Sequence, residues 1–254
     1  MANDPQLLID GDLYAYQAAV VSEYEADWGD GCIVLSTNLD QAKEAFTLKM
    51  EGFKQALWSE DLAVIFSGRN NFRYSLTSTY KSNRKGTRKP LGYGALVDWI
   101  REQPEYKATS KDCLEADDYL GILSTKPRSA GTIPRIIVSG DKDMQTIPGQ
   151  LFYQGELRTV TEDEAEAYWM IQTLTGDTTD GYKGCPGIGA VNAAKIVTKA
   201  GTRWENVRLA FLKAGLTEDD ALLQARLARI LRYEDWDATN QSPILWTPPI
   251  THGE

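Results

Sequence analysis

The residues with chemistry to offer are carboxylates. Asp10 and Asp12 stand in LLIDGD, Glu115, Asp117 and Asp118 in CLEADDY, Asp141 and Asp143 in VSGDKDM, and Asp177 and Asp180 in TGDTTDG. A folded chain that gathers this much negative charge at one place needs cations to neutralise it. Hard divalent ions with oxygen ligands meet that need, so magnesium or manganese acting on phosphates is the first reading. The single histidine, His252, lies two residues from the C-terminus, and Cys32, Cys113 and Cys185 form no C-x-x-C pair. Histidine general-base chemistry and zinc are set aside, which leaves carboxylates, lysine and activated water.

The acids fall where strands should end and helices begin. Residues 6–9 read as a buried strand ending at Asp10, and Gly11 opens a helix to about Val21. Residues 62–66 (LAVIF) and 133–139 are further apolar strands; Phe66 and Ser67 end the first of these, and Asp141 follows the second. An extra strand is expected at 32–35. Asn38 caps a helix to about Trp58, with Ala42, Ala45, Phe46, Met50, Phe53 and Leu57 at helical spacing. Helices are expected at 95–101 and 114–124, and a hairpin at 151–154 and 157–160. Another helix runs from Thr161 to about Leu174, with Glu164 completing a capping box. Apolar strands alternating with helices predict an α/β fold, a mostly parallel central sheet flanked by helices, with ligands beyond the carboxyl ends of the strands. From Gly176 the chain reads as helical, and 221–232 is amphipathic, with Leu222, Ala225, Leu227, Ala228 and Leu231 near one face. On a helix Glu115 and Asp118 share a face and Asp117 does not, so that run begins a helix or splits between roles.

Charge is unevenly spread. The net charge of −9 in 254 residues argues against passive DNA sticking. Yet Arg69, Arg73, Lys81, Arg84, Lys85, Arg88 and Lys89 follow one another with no acid between them, interleaved with Phe72, Tyr74 and Tyr80. Basic residues among aromatics suit backbone phosphates and stacked bases; the plainer reading is a solvated loop. Few apolar residues and several turn formers predict an exposed segment. Lys81 and Arg84, three apart, would project together from a helix towards one phosphate and its neighbour. Pro186-Gly187-Ile188-Gly189 predicts a tight hairpin feeding a helix packed through Ala193, Ala194, Ile196 and Val197. Such a turn offers N–H groups to backbone phosphates; an ordinary helix–helix turn is the alternative. Gly187-x-Gly189 lacks a third glycine and a preceding strand, and no Walker loop occurs, so no nucleotide cofactor is expected. No apolar run approaches a membrane span and no leader-like N-terminus is present, which together with the scattered cysteines predicts a cytoplasmic protein without membrane contact.

Taken in order from Leu7 to about Lys199, LLIDGD, YKSNRK, CLEADD, SGDKDMQ and TGDTTDGYKGCPGIG resemble the 5′-to-3′ exonuclease and flap endonuclease superfamily. LLQARLARILRYEDWD and ILWTP resemble its bacteriophage-encoded members. The resemblance implies a PIN/flap-nuclease-like core over 1–175 with a basic arch over 69–92. It also implies a C-terminal helix–hairpin–helix DNA-binding subdomain over 176–254. Asp10, Glu115 and Asp117 would hold one magnesium or manganese ion and Asp143, Asp177 and Asp180 a second, with Asp118 and Asp141 near or between them. Asp10 and Asp141 would serve catalysis together with Lys81 and Arg84, which would touch the scissile phosphate. Arg69, Arg73, Lys85 and Arg88 would contact DNA beside them, and Tyr80 would stack on an unpaired terminal base. Gly187, Ile188 and Gly189 would grip the duplex backbone, with a potassium ion at the turn carbonyls. The implied reaction is two-metal-ion hydrolysis of duplex DNA from 5′ ends, with flap cutting or RNA-primer removal as further activities, by a monomer in the host cytoplasm. One position departs from the family: Ser67 stands where an aspartate usually ends the second strand, which implies a more weakly held first ion.

Two rivals remain at this point. Asp10-Gly11-Asp12 with the run 176–180 resembles a haloacid-dehalogenase-type phosphatase, which leaves the basic stripe, EADD and PGIG unexplained. A DNA-structure binder with a weakened catalytic site is motivated by Ser67.

Overall fold

Leu7, Leu8 and Ile9 carry the chain straight into the interior, because an uninterrupted apolar run is stable only in a strand covered on both faces. In the computed structural model, which describes residues 4–84, 86–127, 133–198 and 202–249, this run is β1 (Gln6–Asp10). Asp10 caps α1 (Gly11–Val21) by accepting from Leu13 N–H at 3.1 Å. A hairpin of β2 (Glu23–Asp27) and β3 (Ile33–Thr37) follows. Then come α2 (Leu39–Leu57), capped by Asn38, and β4 (Leu62–Ser67). The basic segment contributes only α3 (Arg73–Leu76) and a 3₁₀ turn at Ser82–Arg84. Beyond it lie α4 (Tyr93–Glu102), β5 (Thr109–Lys111), α5 (Ala116–Thr125) and β6 (Arg135–Val138). A 3₁₀ turn (Lys142–Thr146) leads to the hairpin of β7 (Gly149–Tyr153) and β8 (Glu156–Val160). Four α-helices follow, α6 (Glu162–Thr175), α7 (Ala190–Ile196), α8 (Arg203–Lys213) and α9 (Glu218–Ala228), and the stretch expected to be helical from Gly176 also holds a short hairpin of β9 (Trp236–Asp237) and β10 (Ser242–Pro243).

The sheet runs β5-β4-β1-β6-β7-β8, parallel throughout except for β8. From β1 the chain first builds outward through β4 and β5, then returns to the other side of β1 with β6. That reversal opens a crevice beyond the carboxyl end of β1, where open α/β sheets bind ligands. One face of the sheet packs on α1, α2 and α4 through Phe46, Met50, Leu96 and Ile100. The other packs on α5, the Lys142–Thr146 turn and α6 through Leu120, Met144 and Ala165. A second core joins α6 to α7, α8 and α9 around Leu174, Ala193, Val207, Phe211 and Ala225. α6 thus falls within 1–175 yet packs in that second core, and so does Tyr80 from the basic segment.

Several expectations need correction. The strand expected at 32–35 is present as β3; its partner β2, whose charged EYEAD pattern carries no apolar signal, was not expected. The helix expected over 221–232 stops at Ala228: Arg229 turns extended, and its carbonyl accepts from Arg73 Nη2 at 2.6 Å. Ala194 is exposed, and Ala193 and Val197 supply the packed side of α7. The basic segment is not uniformly exposed: Phe72, Arg73 and Tyr80 are buried. Among the described residues, no helix is long and apolar enough to cross a membrane.

Candidate active site

Asp10 ends the central strand and is itself buried. Ser139 Oγ donates to its Oδ2 at 2.7 Å, and Ser139 Oγ in turn accepts from Asp141 N–H at 3.0 Å. This serine, beside the expected acids, gave no sequence signal of its own and sets the two strand-end aspartates side by side. Burial, with the charges of Asp12 and Asp141, pushes the Asp10 carboxyl up to about 6 despite the two hydrogen bonds it accepts. Asp117 sits in the first turn of α5 and is held well above the ordinary carboxylate range by burial, then by Asp10, Asp141 and Glu115. Asp10, Glu115, Asp117 and Asp141 line one cleft of ≈ 840 Å³, faced by Lys81, Arg84, Arg88 and Arg101. Arg101, from the last turn of α4, had no counterpart in the sequence reading.

Glu115 occupies the N-cap of α5, as expected for an acid run at a helix start, and Asp118 Oδ2 completes the capping box by accepting from Glu115 N–H at 3.3 Å. Lys81 Nζ pairs with Glu115 Oε1 and lies 3.6 Å from Asp180 Oδ2. Although burial opposes it, the charges of Lys81 and Arg73 hold Glu115 below its usual value. Arg84 Nη2 donates to Asp180 Oδ1 at 2.7 Å. Lys81 and Arg84 therefore converge as expected, but not from a helix: Lys81 has a left-handed backbone (φ 49°). The segment is seated on the loop bearing the last acid run, through Lys81 N–H to the Asp180 carbonyl at 2.8 Å and Asn83 Nδ2 to the Thr178 carbonyl at 2.8 Å. Gly181 makes this approach possible, since a Cβ there would stand 2.7 Å from the Thr79 carbonyl oxygen.

The second acid group is adjacent. Asp143, which burial raises, accepts from Lys142 Nζ at 2.7 Å and Gln172 Nε2 at 2.6 Å. Asp177 Oδ1 accepts from Thr179 and Asp180 N–H at 2.7 and 3.2 Å; these bonds and Lys142 outweigh burial and lower its pKa. Neither Lys142 nor Gln172 was foreseen, since each gains meaning only from an acid in another element.

Three expected site residues have other occupations. Asp118 has no solvent exposure; both oxygens are taken by Arg73, and by the N–H groups of Glu115 and Leu231. It cannot face an ion. Arg73 is buried against it and against the carbonyls of Leu227 and Arg229, so it cannot reach DNA. Tyr80 is 2 % exposed, with its hydroxyl 2.7 Å from Glu115 Oε2, which rules out stacking on a base. Tyr74, 55 % exposed, is the aromatic left on this surface of the segment. Arg69 and Arg88 are exposed, Arg88 being paired with Glu23 at 2.6 Å; Lys85 lies outside the described residues. Gly187 and Gly189 are exposed and Ile188 half-buried; Gly187 has φ 77° and Gly189 precedes α7. At the end of β4, Ser67 N–H donates to Asp12 Oδ2 at 3.0 Å and Ser67 Oγ accepts from Ala116 N–H at 3.0 Å. Asp12 thus brings a carboxylate beside the strand end where the serine brings none, and Tyr93 Oη holds its other oxygen at 2.9 Å.

Among the described residues, no three acids are drawn together closely enough to hold an ion as they stand. Internal cations engage them instead, Lys81 between Glu115 and Asp180 and Lys142 between Asp143 and Asp177. The donor chemistry fits hard divalent ions: all are carboxylates, two of them pushed up by burial and mutual repulsion that a cation would relieve.

An acid-floored, base-walled cleft at the carboxyl edge of a parallel sheet defines an α/β nuclease-type domain. Residues 5–172 match the 5′-3′ exonuclease, N-terminal resolvase-like domain, and the chain belongs to that family. It is 29% identical over 279 residues to the exodeoxyribonuclease of Enterobacteria phage T3, covering 95% of this chain and 92% of that one. It is likewise 29% identical to the exonuclease of Escherichia phage T7, over 95% and 93%. The fold is similar to that of the phage T5 D15 flap endonuclease, solved as a pseudo-enzyme-product complex with DNA and metal ions (TM-score 0.61, 14% identity, 88% of each chain).

Proposed function

We propose that this chain hydrolyses phosphodiester bonds of duplex DNA from 5′ ends or flaps with two magnesium or manganese ions. The observation that carries this function is one cleft lined by Asp10, Glu115, Asp117 and Asp141 together with Lys81 and Arg84. Asp10, Glu115, Asp117 and Asp141 would hold the first ion, and Asp143, Asp177 and Asp180 the second. Bound there, divalent ions supply activation of water and stabilisation of the leaving oxygen. Ser139 fixes the orientation of Asp10, and Asp12 and Ser67 seat the start of α5 so that Glu115 and Asp117 face the cleft. Lys81 and Arg84 transfer from Asp180 to the substrate phosphate and offset its growing charge. Arg88, Lys89 and Arg101 guide the backbone into the cleft by charge. The turn at Pro186, Gly187, Ile188 and Gly189 contacts the duplex backbone, with a potassium ion at its carbonyls.

Cleavage of blunt, nicked, flapped and RNA-primed duplexes, each labelled at the 5′ end, tests the substrate class. Release of short 5′-labelled products from duplex ends or flaps is expected. Attack on internal single strands alone, or release from 3′ ends, would contradict the reading.

A further inference from the structure

Lys142 stands between two carboxylates from different parts of the chain. Its ammonium lies 2.7 Å from Asp143 Oδ1 and 3.4 Å from Asp177 Oδ2. Protein donors already orient both acids. Gln172, a buried side chain of α6, donates to Asp143 Oδ1, and its own Oε1 meets no partner. Backbone N–H groups fix Asp177 Oδ1. The pair is therefore held in place without the lysine. The Lys142 side chain is 54% exposed, whereas that of Lys81, which spans Glu115 and Asp180, is only 13% exposed. Lys142 is held by its charge-assisted contacts to these two acids and can swing into solvent without moving the backbone.

We infer that Lys142 is a built-in competitor for the second cation position: its ammonium neutralises Asp143 and Asp177 in the ion-free protein and must leave before a divalent ion engages them. The inference rests on the proposed assignment of these acids to the second ion. The lysine end of the pair is half-exposed, so solvent screens it and a long side chain must be ordered to make it. An ion with two charges and direct oxygen contacts displaces it, at the cost of that pair. Lys142 therefore lowers the affinity of the second position and keeps the acid pool from standing uncompensated when ions are scarce. The plainer alternative is a surface pair with no bearing on ion binding.

Calorimetric titration of manganese into the full chain without DNA tests this, using wild type, Lys142→Gln, Lys142→Met and Asp143→Asn. Two binding events of unequal affinity are expected in wild type. Both Lys142 variants should tighten the weaker event by about threefold or more and leave the tighter one unchanged. An unchanged or weakened second event in both variants overturns the inference while leaving the two-ion reading intact. A single event in wild type, or a second event that survives Asp143→Asn, overturns the assignment of the second position and the inference with it. Circular dichroism establishes that each variant is folded.

Discussion

Arg73 and Asp118 lock together inside the protein: Nη1 and Nη2 donate to Oδ2 and Oδ1 at 2.6 and 2.8 Å, and neither side chain has appreciable contact with water. Asp118 also ties the start of α5 to Leu231 N–H, and Arg73 reaches the carbonyls of Leu227 and Arg229. One pair thus joins the root of the basic segment, the helix that presents Glu115 and Asp117, and the end of α9. Removing one partner leaves a buried charge uncompensated. Asp118→Asn or Arg73→Met should cost about 3–5 kcal/mol in denaturant unfolding. Arg73→Lys should not restore the loss, because an ammonium cannot make the two-pronged bond.

Asp117 behaves oppositely. It is crowded by burial and by Asp10, Asp141 and Glu115. Asp117→Asn should leave the ion-free protein no less stable and raise its melting temperature by about 2–4 °C, the shift expected from ~1 kcal/mol in a chain of this size. The same variant should lose cleavage. A melting temperature that falls instead would show that Asp117 is not in a repulsive pool.

Asp10 gives a pH dependence with a definite sign. Its carboxyl is pushed from 3.8 up to about 6 in the folded protein. The folded state thus binds more protons than the unfolded state in this window, so this group's contribution to stability falls as pH rises from 3.8 to about 6. An ion at Asp10 must displace that proton. Stabilisation by magnesium, read as the melting-temperature difference with and without the ion, should therefore grow as pH rises through 6.

Lys81 separates binding of ions from chemistry on the phosphate. Its ammonium pairs with Glu115 and approaches Asp180. Lys81→Met should lower kcat by about 10²–10³-fold, the effect of losing one group aimed at developing charge. Manganese affinity should not fall, since an internal cation has been removed and no ligand lost. Weakened ion binding would instead place Lys81 as a support for the acids.

The central strand and its acid were legible because a run such as LLI tolerates only a two-faced burial, and whatever follows it emerges at the sheet edge. The capping box of Thr161 and Glu164 was legible for a similar reason: both partners lie within one turn. The basic segment was not. Arg73 and Tyr80 look like parts of a solvated charge run, and what buries them comes from Asp118, Leu227, Arg229 and Asp180, more than 40 residues away along the chain. Ser139 and Gln172 were silent for the same reason. Asp12 lies two residues past Asp10, in the first turn of α1, and that offset carries it from the strand end of Asp10 to the end of β4.

The most direct measurement is magnesium-dependent degradation of a 5′-labelled duplex by wild type and by Asp141→Asn. Asp141 lines the cleft beside Asp10 and sets the backbone of Asp143 through a 2.8 Å bond. Steady release of label by wild type is expected, none in excess chelator, and a loss of at least about 10²-fold in the variant while it still binds duplex DNA. Undiminished cleavage in chelator, or by Asp141→Asn, would contradict the two-ion mechanism.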